Sequence, residues 1–340
     1  MPRFPQNNRF MTKVLLMGLG RWGVNHLRNL KALPVELFVA ETDTRRLEPA
    51  VKAGVPASHQ FTNYRDALPA VDAVVIVTPA QTHFPLCQEF MAAGKDVFVE
   101  KPITLTTSDA RELAAMASRL QRILQVGHIF RFDPAVEWLR TAIQAGKFGQ
   151  VQMLRSSFSG FKRPRNDSGI MFADAIHFVD LYNYFLGTTP RRVQAVMQDF
   201  MGRGLDDATL LSLEYETRLG KTWATIETNY FQPGKQREVS VMGTELSAVC
   251  DLNAQQNRIR TFANRHVKEG NEIKAVEAQP ENVELRVEEP LKAELQAFVN
   301  SVATRTPPSA DGQAGVASVY VLEAALESSR TGRIMELPPL

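Results

Sequence analysis

Residues 13–31 read KVLLMGLGRWGVNHLRNLK, and this stretch decides the fold. The apolar run KVLLM predicts a short buried strand, and the amphipathic run after the glycines predicts a helix. Between them, Gly18, Gly20 and Gly23 follow the spacing G-x-G-x-x-G, which lets backbone N–H groups at a helix N-terminus face a phosphate without an intervening Cβ. The stretch therefore predicts the phosphate-binding turn of a dinucleotide-binding domain, with a plain tight turn as the alternative.

The alternation of strands and helices continues to about residue 130. The later strand-like runs are ELFVAE (36–41), DAVVIV (72–77), DVFVE (96–100) and ILQV (123–126). These runs are mostly continuous in apolar residues, which is typical of parallel strands covered by helices on both faces. A helix is predicted over Ser108–Leu120, and Asp133 followed by Pro134 predicts the start of another. Together they predict a doubly wound parallel sheet of the Rossmann type.

Beyond about residue 150 the pattern changes to that of a second fold. Segments such as VQMLRSSFSG, ATLLSLEYE and REVSVMG predict strands joined by short turns, and one helix is predicted over Phe172–Leu186. The polar stretch Asn253–Glu289 is predicted to be irregular. The expected class is α/β, in which the N-terminal Rossmann sheet is followed by a C-terminal α+β domain with a mostly antiparallel sheet.

The length and composition of the chain predict two domains. Its 340 residues, 44% of them hydrophobic, are more than one core usually holds. We expect a disordered lead-in over residues 1–10 and a dinucleotide-binding domain over residues 11–130. We expect residues 131–340 to form the α+β domain, which serves substrate binding and oligomerisation.

Charge and cysteine content exclude several classes of partner. The 39 basic and 37 acidic residues give a net charge of +2, so nothing calls for nucleic acid or an anionic membrane. Cys87 and Cys250 fit a reducing compartment. No secretion signal is evident, no apolar run approaches the roughly 20 residues that cross a bilayer, and no metal-ligand spacing occurs. We expect a soluble cytoplasmic protein without a metal.

Glu41 stands at the end of the second predicted strand, about 20 residues after the glycines, where an acid binds the adenosine ribose of NAD. A carboxylate there repels the 2′-phosphate of NADP, although Arg45 and Arg46 offset this repulsion in part. A solvated strand end is the alternative for Glu41. The sequence favours NAD as the cofactor.

Polar residues also follow two other predicted strands, at the carboxyl ends where open α/β sheets bind ligands. Thr78, Pro79 and His83 follow one strand, and Glu100-Lys101-Pro102 follows the next. We expect both loops to line one cleft. The residues expected to bind the cofactor are Gly18, Gly20, Arg21, Trp22, Gly23, Glu41, Thr78, Pro79, His83, Glu100 and Lys101.

These motifs resemble a known family, the glucose-fructose oxidoreductase and inositol dehydrogenase family, called Gfo/Idh/MocA. The resemblance runs from GLGRWG through TPAQTH, EKP and GHIFRFDPA to LKAELQAFVNSV at residues 291–302. It implies a dehydrogenase in which Lys101 contacts the reacting hydroxyl and the nicotinamide. It also implies that His177, on a helix of the second domain, acts as the acid–base group.

This assignment fits the chemistry of hydride removal. Hydride leaves a carbinol carbon only as its hydroxyl loses a proton, and neutral imidazole accepts that proton near neutral pH. Lys101 would stabilise the developing alkoxide. Asp174 lies three residues before His177 and is expected to orient its imidazole, although the family more often has the aspartate where this chain has Ala173. A core histidine is the alternative for His177.

Three basic residues, Lys162, Arg163 and Arg165, precede the helix of His177. They predict either binding of an anion, such as the diphosphate of a nucleotide sugar, or an exposed charged loop. His83 and His128 either belong to the site or hydrogen-bond to the backbone at strand ends. The residues expected to contact the substrate are Lys101, His128, Arg131, Lys162, Arg163, Arg165, Asp174 and His177.

The substrate is expected from the resemblance of two segments, GHIFRFDPAV and GRWGVNHLRN. They are similar to family members that oxidise the 3-hydroxyl of UDP-N-acetylglucosamine to a 3-keto sugar for a pyridoxal-phosphate aminotransferase. Dehydrogenation of an inositol or a free aldose is the alternative. In another class, the alternatives are an NAD-dependent glycoside hydrolase and a non-catalytic cofactor-sensing regulator. The resemblance also implies a homodimer or homotetramer.

Overall fold

The computed structural model describes residues 11–340, so the lead-in predicted for residues 1–10 lies outside the described residues. The chain divides into two compact units. Unit 1 contains the residues up to Ile103, Arg111–Gly127 and Leu291–Gly312. Unit 2 contains Thr104–Ala110, His128–Pro290 and Gln313–Leu340.

Unit 1 is built on a six-stranded sheet in which every neighbouring pair is parallel. Its strands are β1 (Thr12–Met17), β2 (Val35–Ala40), β3 (Gln60–Phe61), β4 (Ala73–Ile76), β5 (Asp96–Glu100) and β6 (Leu124–Gly127). They lie in the order β3-β2-β1-β4-β5-β6, so the predicted doubly wound sheet is confirmed. The order reverses at β1 and β4, and ligands of such sheets bind at this point beyond the carboxyl ends of the strands.

The described residues form nine α-helices. They are α1 (Gly23–Lys31), α2 (Glu48–Lys52), α3 (Tyr64–Ala67), α4 (His83–Ala92), α5 (Thr107–Leu120), α6 (Pro134–Gln144), α7 (Ile176–Leu186), α8 (Pro290–Thr304) and α9 (Gly312–Thr331). Helix α1 packs on β1 and β2, and α4 packs on β4 and β5. None of the helices described between residues 11 and 340 is long and apolar enough to cross a membrane.

A late segment of the chain, Leu291–Gly312, returns to unit 1, although the sequence analysis placed it with the second domain. The side chain of Gln125 donates a hydrogen bond to the backbone oxygen of Glu294, at 3.0 Å. The rings of Phe98 and Phe298 lie 5.8 Å apart. This return explains why a single boundary near residue 130 does not describe the compact units.

Unit 2 is built on a nine-stranded sheet. Its strands are β7 (Val151–Gly160), β8 (Arg192–Gln198), β9 (Ala208–Thr217), β10 (Gly220–Asn229), β11 (Lys235–Gly243), β12 (Ser247–Asp251), β13 (Ile259–Phe262), β16 (Glu281–Asn282) and β17 (Met335–Glu336), with β14 (Arg265–Glu269) and β15 (Glu272–Val276) forming a separate hairpin. Neighbouring strands are antiparallel except β7 and β10, which are parallel. The mostly antiparallel sheet of the α+β domain is therefore confirmed.

The structure differs from the prediction in two segments of unit 2. The stretch Asn253–Glu289, predicted to be irregular, contains β13 to β16. The hairpin of β14 and β15 is almost wholly exposed, so neither face imposes the apolar alternation that predicts a strand. The helix predicted over Phe172–Leu186 starts as a π-helical turn at Met171–Ala175 and continues as α7.

Candidate active site

The three glycines of the phosphate turn differ in their surroundings. A Cβ on Gly18, whose φ is +89°, would lie 2.7 Å from the carbonyl oxygen of Val77. A Cβ on Gly23 would lie 1.9 Å from the carbonyl oxygen of Gly18, whereas a Cβ on Gly20 would meet nothing within 4 Å. Gly18 and Gly23 are thus required by packing, and the backbone of Gly20 borders open space, as the approach of a pyrophosphate needs.

Glu41 is buried and supports the same turn. Its Oε2 accepts a hydrogen bond from the backbone N–H of Leu19 at 2.8 Å, and its Oε1 accepts one from the N–H of Asp43 at 3.1 Å. The alternative of a solvated strand end is therefore wrong. Binding of ribose by Glu41 stays a prediction.

The two arginines after Glu41 are paired with a neighbouring acid. Arg45 lies 2.9 Å and Arg46 lies 3.7 Å from the carboxylate of Asp43. The hydrogen bond to Asp43 raises the pKa of Arg45. Because Asp43 partly neutralises both cations, they offset less of the repulsion between Glu41 and a 2′-phosphate, which favours NAD.

Glu100 lies at the end of β5 and joins this strand to the start of α1. Its Oε1 accepts a hydrogen bond from Trp22 Nε1 and lies 2.8 Å from His26 Nε2, and its Oε2 accepts one from the N–H of Lys101 at 3.2 Å. Burial raises the pKa of Glu100, but His26, Trp22 and the charge of Lys101 outweigh burial and lower the pKa overall.

His26 is not among the residues that the sequence predicted to bind cofactor or substrate, so its contact with Glu100 is a finding of the structure. Trp22 and His26 are four residues apart at the start of α1, so both side chains lie on one face of the helix. That spacing, beside the glycine turn, is the signal that would have found them.

His83 connects the two polar loops of unit 1. Its Nδ1 lies 2.8 Å from the carbonyl oxygen of Pro102, and its Nε2 lies 2.9 Å from the carbonyl oxygen of Thr78. The ring is buried, and the Lys101–Pro102 peptide bond is cis. Of the two alternatives for His83, the structure shows the backbone contacts, through which His83 holds the loop of Thr78 and Pro79 against the loop of Lys101.

In unit 2, His177 lies in an aromatic environment. It is half-buried near the start of α7, and its ring lies 4.8 Å from that of Phe130 and 5.8 Å from that of Phe158, nearly parallel to the latter. A core histidine is normally fully buried, so the remaining exposure of His177 is compatible with a catalytic role.

Asp174 is buried in the π-helical turn, and its carboxylate accepts a hydrogen bond from Lys162 Nζ. A π-helical turn is wider than an α-helical one, so a spacing of three residues no longer places two side chains directly above each other. Lys162 Nζ also lies 4.6 Å from the centre of the Phe158 ring. The structure thus groups His177, Asp174 and Lys162 near Phe158, and orientation of the imidazole by Asp174 stays a prediction.

The other two basic residues of this loop are more exposed. Arg165 donates two hydrogen bonds to the carboxylate of Asp167, which raises the pKa of Arg165. Arg163 is exposed. Of the three predicted cations, Lys162 is therefore the one that contacts the ring of Phe158, which also lies beside His177.

His128 and Arg131 lie beside Asp180, whose side chain is buried. Arg131 donates hydrogen bonds to both carboxylate oxygens of Asp180, the shortest at 2.6 Å, and its guanidinium lies 4.4 Å from the centre of the Tyr184 ring. His128 Nε2 lies 3.6 Å from Asp180. These contacts favour a structural role for Arg131 rather than the predicted contact with substrate.

Both parts of the chain match known protein families. Residues 12–128 match the model of the oxidoreductase family, NAD-binding Rossmann fold, and residues 140–337 match that of the oxidoreductase family, C-terminal alpha/beta domain. UDP-N-acetylglucosamine 3-dehydrogenase of Acidithiobacillus ferrooxidans is 30% identical over 92% of this chain and 94% of its own. scyllo-Inositol 2-dehydrogenase (NAD(+)) of Bacillus subtilis is 28% identical over 95% of each chain.

Solved structures are similar over the same length. UDP-N-acetylglucosamine 3-dehydrogenase GnnA from A. ferrooxidans has a TM-score of 0.80 at 27% identity, covering 95% of this chain and 97% of its own. GenD2 from gentamicin A biosynthesis, solved in complex with NAD, has a TM-score of 0.81 at 25% identity, covering 99% of both chains. With both domains matched and the phosphate turn in place, the chain belongs to the Gfo/Idh/MocA family of NAD-binding oxidoreductases.

Proposed function

We propose that the chain oxidises a secondary hydroxyl of a sugar nucleotide with NAD, and that the preferred substrate is UDP-N-acetylglucosamine, oxidised at its 3-hydroxyl. The observation that carries this proposal is the grouping of a potential base, His177, with the cation Lys162 beside Phe158. A similar enzyme bearing that activity, 30% identical over 92% of this chain, supports it.

In the proposed reaction, His177 takes the proton of the substrate hydroxyl and Lys101 stabilises the oxygen as it becomes negative. Bound NAD supplies the acceptor for the hydride that leaves the same carbon. The products are a keto sugar, NADH and a proton. Asp174 helps to orient His177, and it holds Lys162 by a hydrogen bond.

The cofactor is held mainly by the backbone in this proposal. The open space at Gly20 admits the pyrophosphate, and Glu41 binds the ribose hydroxyls while supporting Leu19. Glu100 and His83 fix the loop of Lys101 through the contacts described above. The anion of the substrate is bound by Lys162 and Arg163, with Arg165 at the edge.

Three further expectations belong to this proposal. The protein acts in the cytoplasm, which its buried free thiols Cys87 and Cys250 suit. Its keto product goes to a pyridoxal-phosphate aminotransferase. The enzyme is a homodimer or homotetramer, formed through the sheet of unit 2.

The second candidate is an inositol or free aldose dehydrogenase, because inositol dehydrogenases are also among the similar proteins. A neutral substrate would leave Lys162 only its hydrogen bond to Asp174, whereas an anionic substrate would also use its charge, which favours the sugar nucleotide. A glycoside hydrolase would restore its cofactor in each cycle and show no net NADH, and a regulator would bind NAD without consuming sugar.

The test is absorbance of reduced nicotinamide with the purified protein, NAD and a panel of UDP-N-acetylglucosamine, myo-inositol and free aldoses. An aminotransferase is included to remove the keto product. NADH formed with the sugar nucleotide supports the proposal. NADH formed with inositol or aldoses alone contradicts the substrate, and sugar release without net NADH contradicts the reaction.

A further inference from the structure

Strand β11 carries an arginine at a position where its pattern calls for an apolar residue. Side chains of a strand alternate between the two faces of the sheet, so Arg237, Val239 and Val241 point to the same face. Val239 and Val241 are buried in the core of unit 2, whereas Arg237 is half-buried. A cation on the core side of a sheet costs solvation free energy, which suggests a use other than stability.

The neighbours of Arg237 belong to the site already described. Arg237 is directly opposite Phe158 of β7 in the antiparallel register, and its guanidinium lies 4.4 Å from the centre of the Phe158 ring. Lys162 Nζ lies 4.6 Å from the same ring, and the imidazole of His177 lies 5.8 Å from it. Two cations and the proposed base therefore border one aromatic ring.

The negative charge near the Phe158 ring is smaller than the positive charge of the two cations beside it. Asp174 hydrogen-bonds to Lys162, and it also interacts electrostatically with Arg237. Among the ion pairs and side-chain hydrogen bonds of residues 11–340, none includes the guanidinium of Arg237. Burial lowers the pKa of Arg237, yet a guanidinium remains charged at neutral pH. Lys162, Arg237 and Asp174 together leave one net positive charge.

We infer that Arg237 and Lys162 form an oxyanion subsite beside His177, which binds a phosphate or carboxylate group carried by the substrate. This inference rests on the proposed function and adds to it a specificity-determining residue on β11. The planar guanidinium offers two parallel N–H groups to two oxygens of one anion, and Lys162 adds a point charge. An oxyanion bound in this subsite would neutralise the positive charge that remains after Asp174 has paired with Lys162.

The inference explains the position of Phe158. Stacking on its ring holds the guanidinium in place, so less side-chain entropy is lost when the anion binds. Neutral sugars would leave Arg237 without an anionic partner. The subsite therefore selects charged sugar derivatives over neutral ones of the same ring structure.

The test compares Arg237→Met, which keeps the length and apolar stem, with Arg119→Met as a control. Arg119 is exposed in the last turn of α5, outside the sheet of unit 2. Calorimetry on the full chain with NADH measures binding of UDP-N-acetylglucosamine, glucuronate and neutral N-acetylglucosamine. We expect Arg237→Met to weaken binding of the phosphate or the carboxylate ligand by about 10- to 100-fold, the usual effect of a charge-assisted hydrogen bond.

Each outcome has one meaning for the subsite. Weakening of UDP-N-acetylglucosamine alone identifies the phosphate as the oxyanion, and weakening of glucuronate alone identifies the carboxylate. Equal weakening of the neutral sugar, or equal effects of Arg237→Met and Arg119→Met, would overturn the inference. The inference would also be overturned if the wild-type protein bound neither UDP-N-acetylglucosamine nor glucuronate. Turnover of neutral inositol alone would contradict the proposed function, but the comparison of anion binding would still test the subsite.

Thermal unfolding of the same variants separates binding from folding. Because the uncompensated cation of Arg237 costs stability in the free protein, Arg237→Met is expected to keep or raise the melting temperature. A large drop in melting temperature would show a packing role and contradict the inference. Arg237→Lys, which keeps the charge but loses the planar fork, is expected to retain part of the anion affinity.

Discussion

His26 Nε2 lies 2.8 Å from Glu100 Oε1, and both side chains are buried. Through this contact the first turn of α1, which follows the phosphate turn, is joined to the end of β5, which precedes Lys101. One buried carboxylate thus connects the segment proposed to bind pyrophosphate with the segment proposed to stabilise the alkoxide. A change at Glu100 should therefore affect both stability and catalysis.

The pH dependence of stability tests this connection. The pKa of Glu100 is lowered from its ordinary value of 4.5, so its ionised form adds stability that is complete above about pH 4.5 and is lost as the pH falls through the lowered pKa. We expect Glu100→Gln to reduce the free energy of unfolding by about 1–3 kcal/mol at neutral pH, and by less in acid. Chemical denaturation across pH measures this, with Glu277→Gln, at an exposed position, as control. A loss that is independent of pH would contradict the assignment.

The glycines of the phosphate turn predict two different kinds of defect. Gly20→Ala places its methyl group in open space, so we expect an unchanged melting temperature and NAD binding weakened by about tenfold or more. Gly23→Ala drives its methyl group against Gly18, so we expect a loss of more than about 3 kcal/mol of stability. Thermal melts and NAD titration separate the two. Normal NAD affinity in Gly20→Ala would show that no pyrophosphate lies there.

Lys101 is predicted to act on the transition state rather than on cofactor binding. Lys101→Met should leave the dissociation constant of NAD nearly unchanged while turnover falls by at least about 100-fold, because a preorganised charge is lost. The exposed Lys147→Met serves as control. If NAD affinity falls as much as turnover does, Lys101 mainly builds the cofactor pocket.

Arg131 is predicted to stabilise the fold. Arg131→Met leaves Asp180 buried without its bidentate partner, so we expect a loss of about 3–5 kcal/mol in the free energy of unfolding. The double variant Arg131→Met, Asp180→Asn removes the uncompensated charge and should recover part of that loss. An increase in substrate KM without a change in stability would instead support the contact between Arg131 and the substrate that the sequence predicted.

The sheet of unit 2 is predicted to form the interface between copies of the chain. Val196, Leu210 and Trp223 on β8, β9 and β10 are each about half exposed, at 53%, 50% and 49%. Three large apolar side chains on one exposed region favour burial against a second copy. Sedimentation should show a dimer or tetramer, and Leu210→Glu should shift it towards the monomer. A wild-type monomer at micromolar concentration would contradict the prediction.

Local sequence patterns predicted the helices and strands whose formation depends on neighbouring residues in the chain. The predicted start at Asp133 and Pro134 is confirmed, because the Asp133 side chain accepts a hydrogen bond from Ala135 N–H and α6 begins at Pro134. Likewise, solid apolar runs predicted the parallel strands of unit 1. Where neither face is buried, as in β14 and β15, the pattern carried no signal.

By itself, then, the sequence determined the two folds and the phosphate turn, because periodicity and glycine spacing act over short stretches of chain. Lys101 and His177 became candidates through the resemblance of their motifs to a known family. Only the tertiary structure decided which side chains meet. The pairing of Arg131 with Asp180, of Glu100 with His26, and of Arg237 with Phe158 depends on strand register and helix packing between residues far apart in the chain. No local pattern encodes such contacts, because each is set by the packing of whole elements.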